Sequence, residues 1–388
     1  MRQGISAQTI MNDYAASTGL CDTSKEPRRY LWTDAFAVCN YLELYVKTGE
    51  QSFLQLALKL VAQVHLTLGQ HRKGSLHSGW ISGLKGEQAA QHPTQGGLRI
   101  GKQLDERQAG EPVDEALEWN RDGQYFHYLT KWMHALNRLS RVTGKSRYNQ
   151  WALELAKVAH AAFTYMPVGG VAKRMYWKMS VDLSRPLVPS MGQHDPLDGL
   201  ITYWQLQATA QDFATSPSAL SLDTEIAELL VMCAGQNWAS DDPLGIGGLL
   251  SDACKLVQLI AAYKLDETVL LESLLRNIQS SLESFTRHDS LNHPAEYRLA
   301  FRELGLTIGL HAIHRMQNKI AQQSEDFARA RQLLAALDKL SSFCRLQQAI
   351  EDFWLEADYQ SVKSWRDHHD INSVMLATSL APDGYLQL

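Results

Sequence analysis

An internal repeat constrains this chain more than any other feature of its sequence. The stretch KTGEQSFLQLALKLVAQVH, residues 47–65, aligns with VTGKSRYNQWALELAKVAH, residues 142–160, at an offset of 95 residues. The alignment pairs Thr48 with Thr143, Gly49 with Gly144, Gln55 with Gln150, Ala57 with Ala152, Leu58 with Leu153, Leu60 with Leu155 and His65 with His160. In each copy a segment with helical periodicity runs into Thr-Gly, where glycine can take the left-handed conformation that ends a helix. A second amphipathic segment starts two or three residues later. That is a helix, a tight turn and an antiparallel helix. A hairpin used twice points to an architecture built by packing such hairpins against one another.

The 3.6-residue periodicity predicts helices over 5–18, 33–47, 51–69, 122–142, 146–164, 196–212, 220–236, 243–263, 266–285, 294–318, 323–357 and 368–380. Strand signals are sparse. RMYWKMSVDLSRPLVPS, residues 174–190, predicts a small hairpin at one helix end. The expected fold class is all-α with at most a small β-hairpin. Uneven hairpin spacing and the long 70–118 connection disfavour an open array of regular repeats. The first helix lacks a partner at the N-terminus and the last lacks one at the C-terminus, so pairing them would complete a sixth hairpin and close a ring. In this pattern the chain resembles the six-hairpin glycosidase-like superfamily of (α/α)6 toroids, which includes glycoside hydrolases, unsaturated-uronyl hydrolases and sugar epimerases. The resemblance covers nearly the whole chain and implies a single toroid domain over residues 1–388.

Composition fits a large buried core, with 45% hydrophobic and 20% charged residues in 388. The 37 Lys and Arg against 42 Asp and Glu give a net charge of −5. The basic residues are scattered among acids rather than gathered on a face, so no nucleic-acid partner is expected. No segment approaches the ~18 consecutive apolar residues of a membrane span, and MRQGISAQTIMNDYAAS has no apolar core of signal-peptide length. A soluble, cytoplasmic protein without membrane association is expected. Cys21, Cys39, Cys233, Cys254 and Cys344 are odd in number and widely spaced, which predicts reduced thiols rather than a disulfide framework.

Acids precede six of the predicted helices, in YLWTDAF, LEWNRDGQY, GQHDPLDG, ASDDPLGIGG, LNHPAEYR and SWRDHHDIN. Each acid has a structural reading, because Asp is a favoured N-cap and Pro a favoured first helical residue, as in Asp195-Pro196 and Asp242-Pro243. The resemblance adds a functional one. In an (α/α)6 toroid the six inner helices run parallel, so these starts would open on one rim. Convergent carboxylates there would repel one another and separate into acid and base. This assigns Asp122 and Asp198 as the catalytic pair of a glycoside hydrolase, with Asp34, His194 and Asp195 as further catalytic candidates. Trp32, Trp119 and Trp365 would stack on sugar rings, and Arg121, Tyr125, His369 and Asp370 would complete substrate binding.

The expected partner is a carbohydrate, and the oligomeric state is left open. His368, His369 and Asp370, and the pair His311 and His314, do not follow zinc-ligand spacing, so no metal is expected. HPTQGGLRIGK, residues 92–102, lacks the Gly-Lys-Ser/Thr ending of a phosphate loop, so no cofactor is expected. It reads instead as a mobile flap on the 70–118 connection. Two alternatives stand beside the hydrolase. One is a sugar isomerase or epimerase using His194, His293, His368 and His369, and the other is a non-catalytic toroid that binds a glycan or a protein.

Overall fold

The computed structural model describes residues 6–21, 26–75, 77–213, 220–288 and 290–388. Residue 5, where the first predicted helix begins, lies outside them. The chain divides into two compact units, Ala15–Ala234 and Met1–Tyr14 with Gly235–Leu388. The N-terminal stretch thus belongs with the C-terminal half of the chain, and in α1 (Ala7–Ser17) both Met11 and Tyr14 are buried.

The unit Ala15–Ala234 holds α2 (Leu31–Thr48), α3 (Gln51–Leu68), α4 (Phe126–Thr143), α5 (Arg147–Phe163), α6 (Asp195–Asp212) and α7 (Asp223–Cys233). These form three hairpins, α2 with α3, α4 with α5 and α6 with α7, and α4 packs against both α2 and α6. The repeat is visible in the first two. Gly49 and Gly144 take left-handed φ of 73° and 68°. The preceding Thr48 and Thr143 donate their hydroxyls to the carbonyls of Leu44 and Leu139 at 2.7 and 2.6 Å. Ala57, Ala152, Leu60, Leu155, His65 and His160 are all buried. His65 Nε2 accepts the Trp132 indole N–H at 3.1 Å, while His160 Nε2 meets Glu228 at 2.6 Å.

Side-chain pairs between α4 and α6 climb in step: Lys131 with Asp198, His134 with Gln205, Asn137 with Thr209 and Arg141 with Asp212. The two helices are therefore parallel, and their N-termini lie at the same end. The start of α2 joins them there, because the Tyr30 hydroxyl hydrogen-bonds that of Tyr128 at 2.7 Å.

The other unit holds α8 (Pro243–Tyr263), α9 (Thr268–Arg287), α10 (Ala300–Gln322), α11 (Ala330–Ser341), α12 (Arg345–Leu355) and α13 (His369–Leu380). α8 and α10 cross with their backbones touching. A Cβ on Gly247 would lie 2.0 Å from the Gly305 carbonyl oxygen, so glycine is the only side chain that crossing admits. α8 is also long and apolar enough to cross a membrane, with 21 residues and a mean hydropathy of 1.4, yet 78% of that window is buried within the protein. Length and composition do not separate a spanning helix from a core helix.

Three expectations about secondary structure are corrected. The predicted helix 323–357 is two helices, α11 and α12, parted at Ser342–Cys344. The Ser341 and Ser342 hydroxyls fold back onto the carbonyls of Asp338 and Lys339, and serines that bond their own backbone in this way loosen a helix. The predicted start at 294 moves to Ala300, because the chain after Pro294 forms only a 3-10 turn over Ala295–Tyr297. The predicted hairpin is present but enlarged. β1 (Gln124–Tyr125), β4 (Lys178–Met179) and β5 (Pro186–Val188) form one antiparallel sheet, and β2 (Thr164–Tyr165) pairs with β3 (Arg174–Met175).

The glycine-rich stretch 92–102 is a buried wall rather than a mobile flap. The Leu31 N–H donates to the Ile100 carbonyl at 3.0 Å, the Ile100 N–H to Gly123 at 2.8 Å, and the Leu98 N–H to the Gln124 amide oxygen at 2.8 Å. The glycines permit that closeness. A Cβ on Gly101, at φ 96°, would meet the Arg29 carbonyl at 2.3 Å. Gly-rich sequence here means backbone packed on backbone.

Candidate functional site

The site lies at the starts of α4 and α6. His194 occupies the N-cap position of α6, and Asp195, Pro196 and Asp198 form its first turn. The Lys131 ammonium approaches Asp198 Oδ1 to 2.7 Å, and the Thr130 hydroxyl donates to Asp198 Oδ2. With the Lys131 and Asp198 side chains only 14% and 6% exposed, the pair is largely dry, and such charges persist only together.

Asp195 is also buried but lacks such a partner. Its Oδ1 lies 3.7 Å from His127 Nδ1, beyond hydrogen-bonding reach. Among the described residues, Asp195 Oδ2 and His127 Nδ1 are both buried with no hydrogen-bond partner. Burial, reinforced by the neighbouring Asp198 charge and opposed by Lys131, pushes the Asp195 carboxyl up to about 7. Burial pushes His127 down to about 4, with Lys131 adding to it and Asp198 opposing. At neutral pH the imidazole is therefore uncharged, and the carboxyl exchanges its proton in the range where a general acid operates.

Aromatic rings lead from this pair to solvent. His127 stacks on Trp177 at 6.3 Å, Tyr125 packs on His127 at 5.3 Å, and Trp119 meets Trp177 edge-on at 4.8 Å while remaining 51% exposed. The turn carrying Trp119 is fixed from beneath. Fully buried Lys178 donates to the Glu118 carboxylate at 2.9 Å and to the carbonyls of Glu118 and Arg121 at 2.7 and 2.9 Å. Arg121 forks onto Glu111.

The remaining sequence candidates occupy different settings. Asp122 is fully buried, and both its oxygens are engaged: Arg99 donates at 2.8 Å to Oδ2, and the Gly101 and Lys102 N–H groups donate at 3.0 and 3.3 Å to Oδ1. Asp34 accepts from Arg29 at 3.1 Å and from the Tyr30 N–H at 2.9 Å, with no solvent exposure. Trp32 is core, 5% exposed against Phe36. The structure thus gathers Asp195, Asp198, Tyr125 and Trp119, with His194 at the same helix start. Arg121 and Asp122 anchor the adjoining loop. Trp365, His369 and Asp370 belong to the other unit. There Trp365 is buried against Trp354 at 5.6 Å, and His369 Nδ1 lies 3.4 Å from Asp370 Oδ1.

Sequence reasoning missed His127, Thr130 and Lys131. All three lie in the first turns of α4, just behind the Asp-Gly that drew attention to that helix. Extending each helix start by one turn would have found them, because a turn of helix carries a side chain only ~5.4 Å along the axis.

No family model and no curated protein matches this chain. Its fold is shared with solved enzymes. The chain is similar to the GH76 α-mannanase of Bacteroides thetaiotaomicron, with 10% identity over 98% of this chain and 96% of that one and a TM-score of 0.55. It is similar to the α-1,6-mannanase GH76A of Salegentibacter sp. HEL1_6, solved as an inactive variant with α-1,6-mannotetrose, at 11% identity, 97% and 99% coverage and a TM-score of 0.52. Cellobiose 2-epimerase from Spirochaeta thermophila matches at 13% identity, 96% and 97% coverage and a TM-score of 0.50. The chain has the all-α (α/α)6 toroid fold of these enzymes.

Proposed function

We propose that this chain is a carbohydrate-active enzyme, acting as a single-domain glycoside hydrolase whose reacting groups are Asp195 and Asp198. The observation that carries the reading is the pair of orphaned polar atoms, Asp195 Oδ2 and His127 Nδ1, buried side by side at the end of an aromatic strip. Native structures rarely bury such atoms unpaired, and a substrate hydroxyl or glycosidic oxygen would satisfy both. Asp195, protonated near neutrality, donates its proton to the leaving oxygen. Asp198, paired with Lys131 at 2.7 Å, serves as the carboxylate that activates water or attacks the sugar. Trp119 and Trp177 offer ring faces to the sugar, with buried Tyr125 packed behind Trp177. In this reading Asp122 positions the loop rather than reacting, since Arg99 and the Gly101 and Lys102 N–H groups tie it to the 92–102 wall and not to the Asp195 pair. Likeness in fold to mannanases and epimerases supports carbohydrate chemistry without choosing between them.

His127 favours a second reading, sugar epimerisation or isomerisation. A neutral imidazole beside a protonated carboxyl can take a proton next to a carbonyl and return it. A screen of chromogenic glycosides, α-1,6-mannotetrose, cellobiose and mannose, read by product mass and by NMR, separates the two. The hydrolase reading expects shorter products and a loss of at least ~10²-fold in Asp195→Asn. Products of unchanged mass that vanish in His127→Ala would establish the second reading instead. A chain that turns over nothing yet binds saccharides would be a lectin-like toroid.

A further inference from the structure

We infer that the buried amides of Asn137 and Gln205 are positioning residues for the candidate site. They lock α4 and α6 in one register and thereby hold Asp195 and His127 apart, so that these two unsatisfied groups do not close on each other before a ligand arrives. The inference rests on the acid role proposed for Asp195, but its test needs no turnover.

The hydrogen bonds between the two helices run one way. His134 Nδ1 lies 2.9 Å from the Gln205 amide oxygen, which can only accept, so that nitrogen carries the proton. The Gln205 amide donates to the Asn137 oxygen at 2.7 Å, and the Asn137 amide donates to the Asn149 oxygen at 2.8 Å and to the Thr209 hydroxyl at 2.7 Å. The chain ends on the backbone of α6, where Thr209 donates to the Gln205 carbonyl and Asn149 to that of Leu206, both at 3.0 Å. All five side chains are buried, at 2% exposure or less. Turning one amide over would set donor against donor and acceptor against acceptor, so the set is satisfied in a single arrangement. An apolar seam would discriminate less, because side chains of similar volume repack at small cost. Here a slip of one residue, ~1.5 Å along the axis, breaks all of these bonds together. Fixing the register of paired helices is the best-attested use of buried polar groups.

That register is felt at the helix starts. Gln205 and Asn137 each lie ten residues, ~15 Å, along their helices from Asp195 and His127. There Asp195 Oδ1 stands 3.7 Å from His127 Nδ1, about 0.5 Å outside a hydrogen bond. Among the described residues neither Asp195 Oδ2 nor His127 Nδ1 has a partner, so the pair would gain by closing into a charge-assisted hydrogen bond, with the carboxyl's proton passing to the imidazole. Side chains keep to discrete rotamers, which leaves the gap to be set by the spacing of the two backbones. The charged groups acting on the pair are Lys131 from α4 and Asp198 from α6. While the pair stays open, burial dominates both groups and drives the carboxyl up and the imidazole down. Closed, each would favour the charged form of the other, and both displacements would reverse.

The test is an NMR titration of the Asp195 carboxyl and the His127 imidazole in the full chain and in Gln205→Met, Asn137→Leu and Thr209→Val, with circular dichroism confirming folding. Arg141→Met, which removes the half-exposed last rung against Asp212, is the control. In Gln205→Met and Asn137→Leu the proton affinity of Asp195 should fall at least ~10-fold, one pH unit, while that of His127 rises, and Arg141→Met should move neither. Thr209→Val should give a smaller change in the same direction, and decides the matter if the larger replacements do not fold. Folded variants that titrate as the parent does overturn the positioning role and leave the hydrolase reading intact, and an equal shift in Arg141→Met overturns it too. A parent whose Asp195 titrates as an ordinary carboxylate overturns both. Shifted midpoints in a chain that turns over no saccharide support the positioning role and remove only the reaction.

Discussion

Two helices of this chain begin with Asp-Pro-Leu, α6 at Asp195 and α8 at Asp242, and the shared tripeptide serves two different ends. Asp242 precedes its helix and caps it, accepting from the Leu244 and Gly245 N–H groups at 3.4 and 3.3 Å while pairing with Arg302 across a half-exposed surface. Asp195 sits one position further in, inside the first turn, buried against His127 and Asp198, with one oxygen left without a partner. The motif starts a helix in both places. Burial and the neighbouring helix decide whether the carboxylate has anything further to do. Where the acid is solvated and bonded to its own backbone, its charge is satisfied locally. Where it is dry and faces another acid, its proton affinity rises into the working range of a catalyst.

The contrast can be broken most forcefully at the cations. Lys131→Met should destabilise the fold by ~3–5 kcal/mol, because it strands Asp198 in a largely dry site, whereas Arg302→Met beside Asp242 should cost less than ~1 kcal/mol. Equal effects in urea unfolding would show that the two sites are not electrostatically distinct. Next in size, Asp195→Asn should reduce turnover at least ~10²-fold, a barrier of ~2.7 kcal/mol, and Asp242→Asn should leave it unchanged.

The third effect concerns pH. A carboxyl whose folded-state value rises from 3.8 to about 7 binds its proton more tightly folded than unfolded, so its contribution to stability is greatest in acid and is lost as pH climbs through that interval. Asn mimics the protonated form. Asp195→Asn should therefore raise stability by roughly 2 kcal/mol at pH 8 and change it little at pH 4. A gain of the same size at both pH values would mean that shape rather than charge is at work. The smallest effect falls on the capping acid, where Asp242→Ala should cost about 1 kcal/mol and Asp242→Asn only a few tenths.

Much of this was legible in the sequence for identifiable reasons. Thr48-Gly49 and Thr143-Gly144 are local signals whose outcome depends on a few bonds within one turn, and both hairpins formed as expected. Asp195 and Asp198 were visible because helix starts are marked by Asp and Pro. The division of 323–357 was hidden because Leu333, Leu337 and Leu340 keep an unbroken apolar period, while the break comes from weak serine signals beyond them. The setting of Asp122 was hidden for another reason. Its partner Arg99 comes from the middle of a long connection, and no local rule places a loop arginine against a particular carboxylate. Orphaned atoms such as His127 Nδ1 are likewise a property of three-dimensional packing.

The wall formed by Leu98–Gly101 also bears on timing. The Leu31, Leu98 and Ile100 N–H groups tie this wall to two helix starts, so they exchange with solvent only when those starts unzip. In hydrogen-exchange measurements the amides of Leu31 and Ile100 should belong to the slowest class in the chain, on the minutes-to-hours scale of cooperative opening rather than the faster scale of a swinging loop. Under the proposed hydrolase reading, turnover would proceed beside a boundary that stays shut through every cycle, and heat should silence the site only when it melts the hairpins themselves.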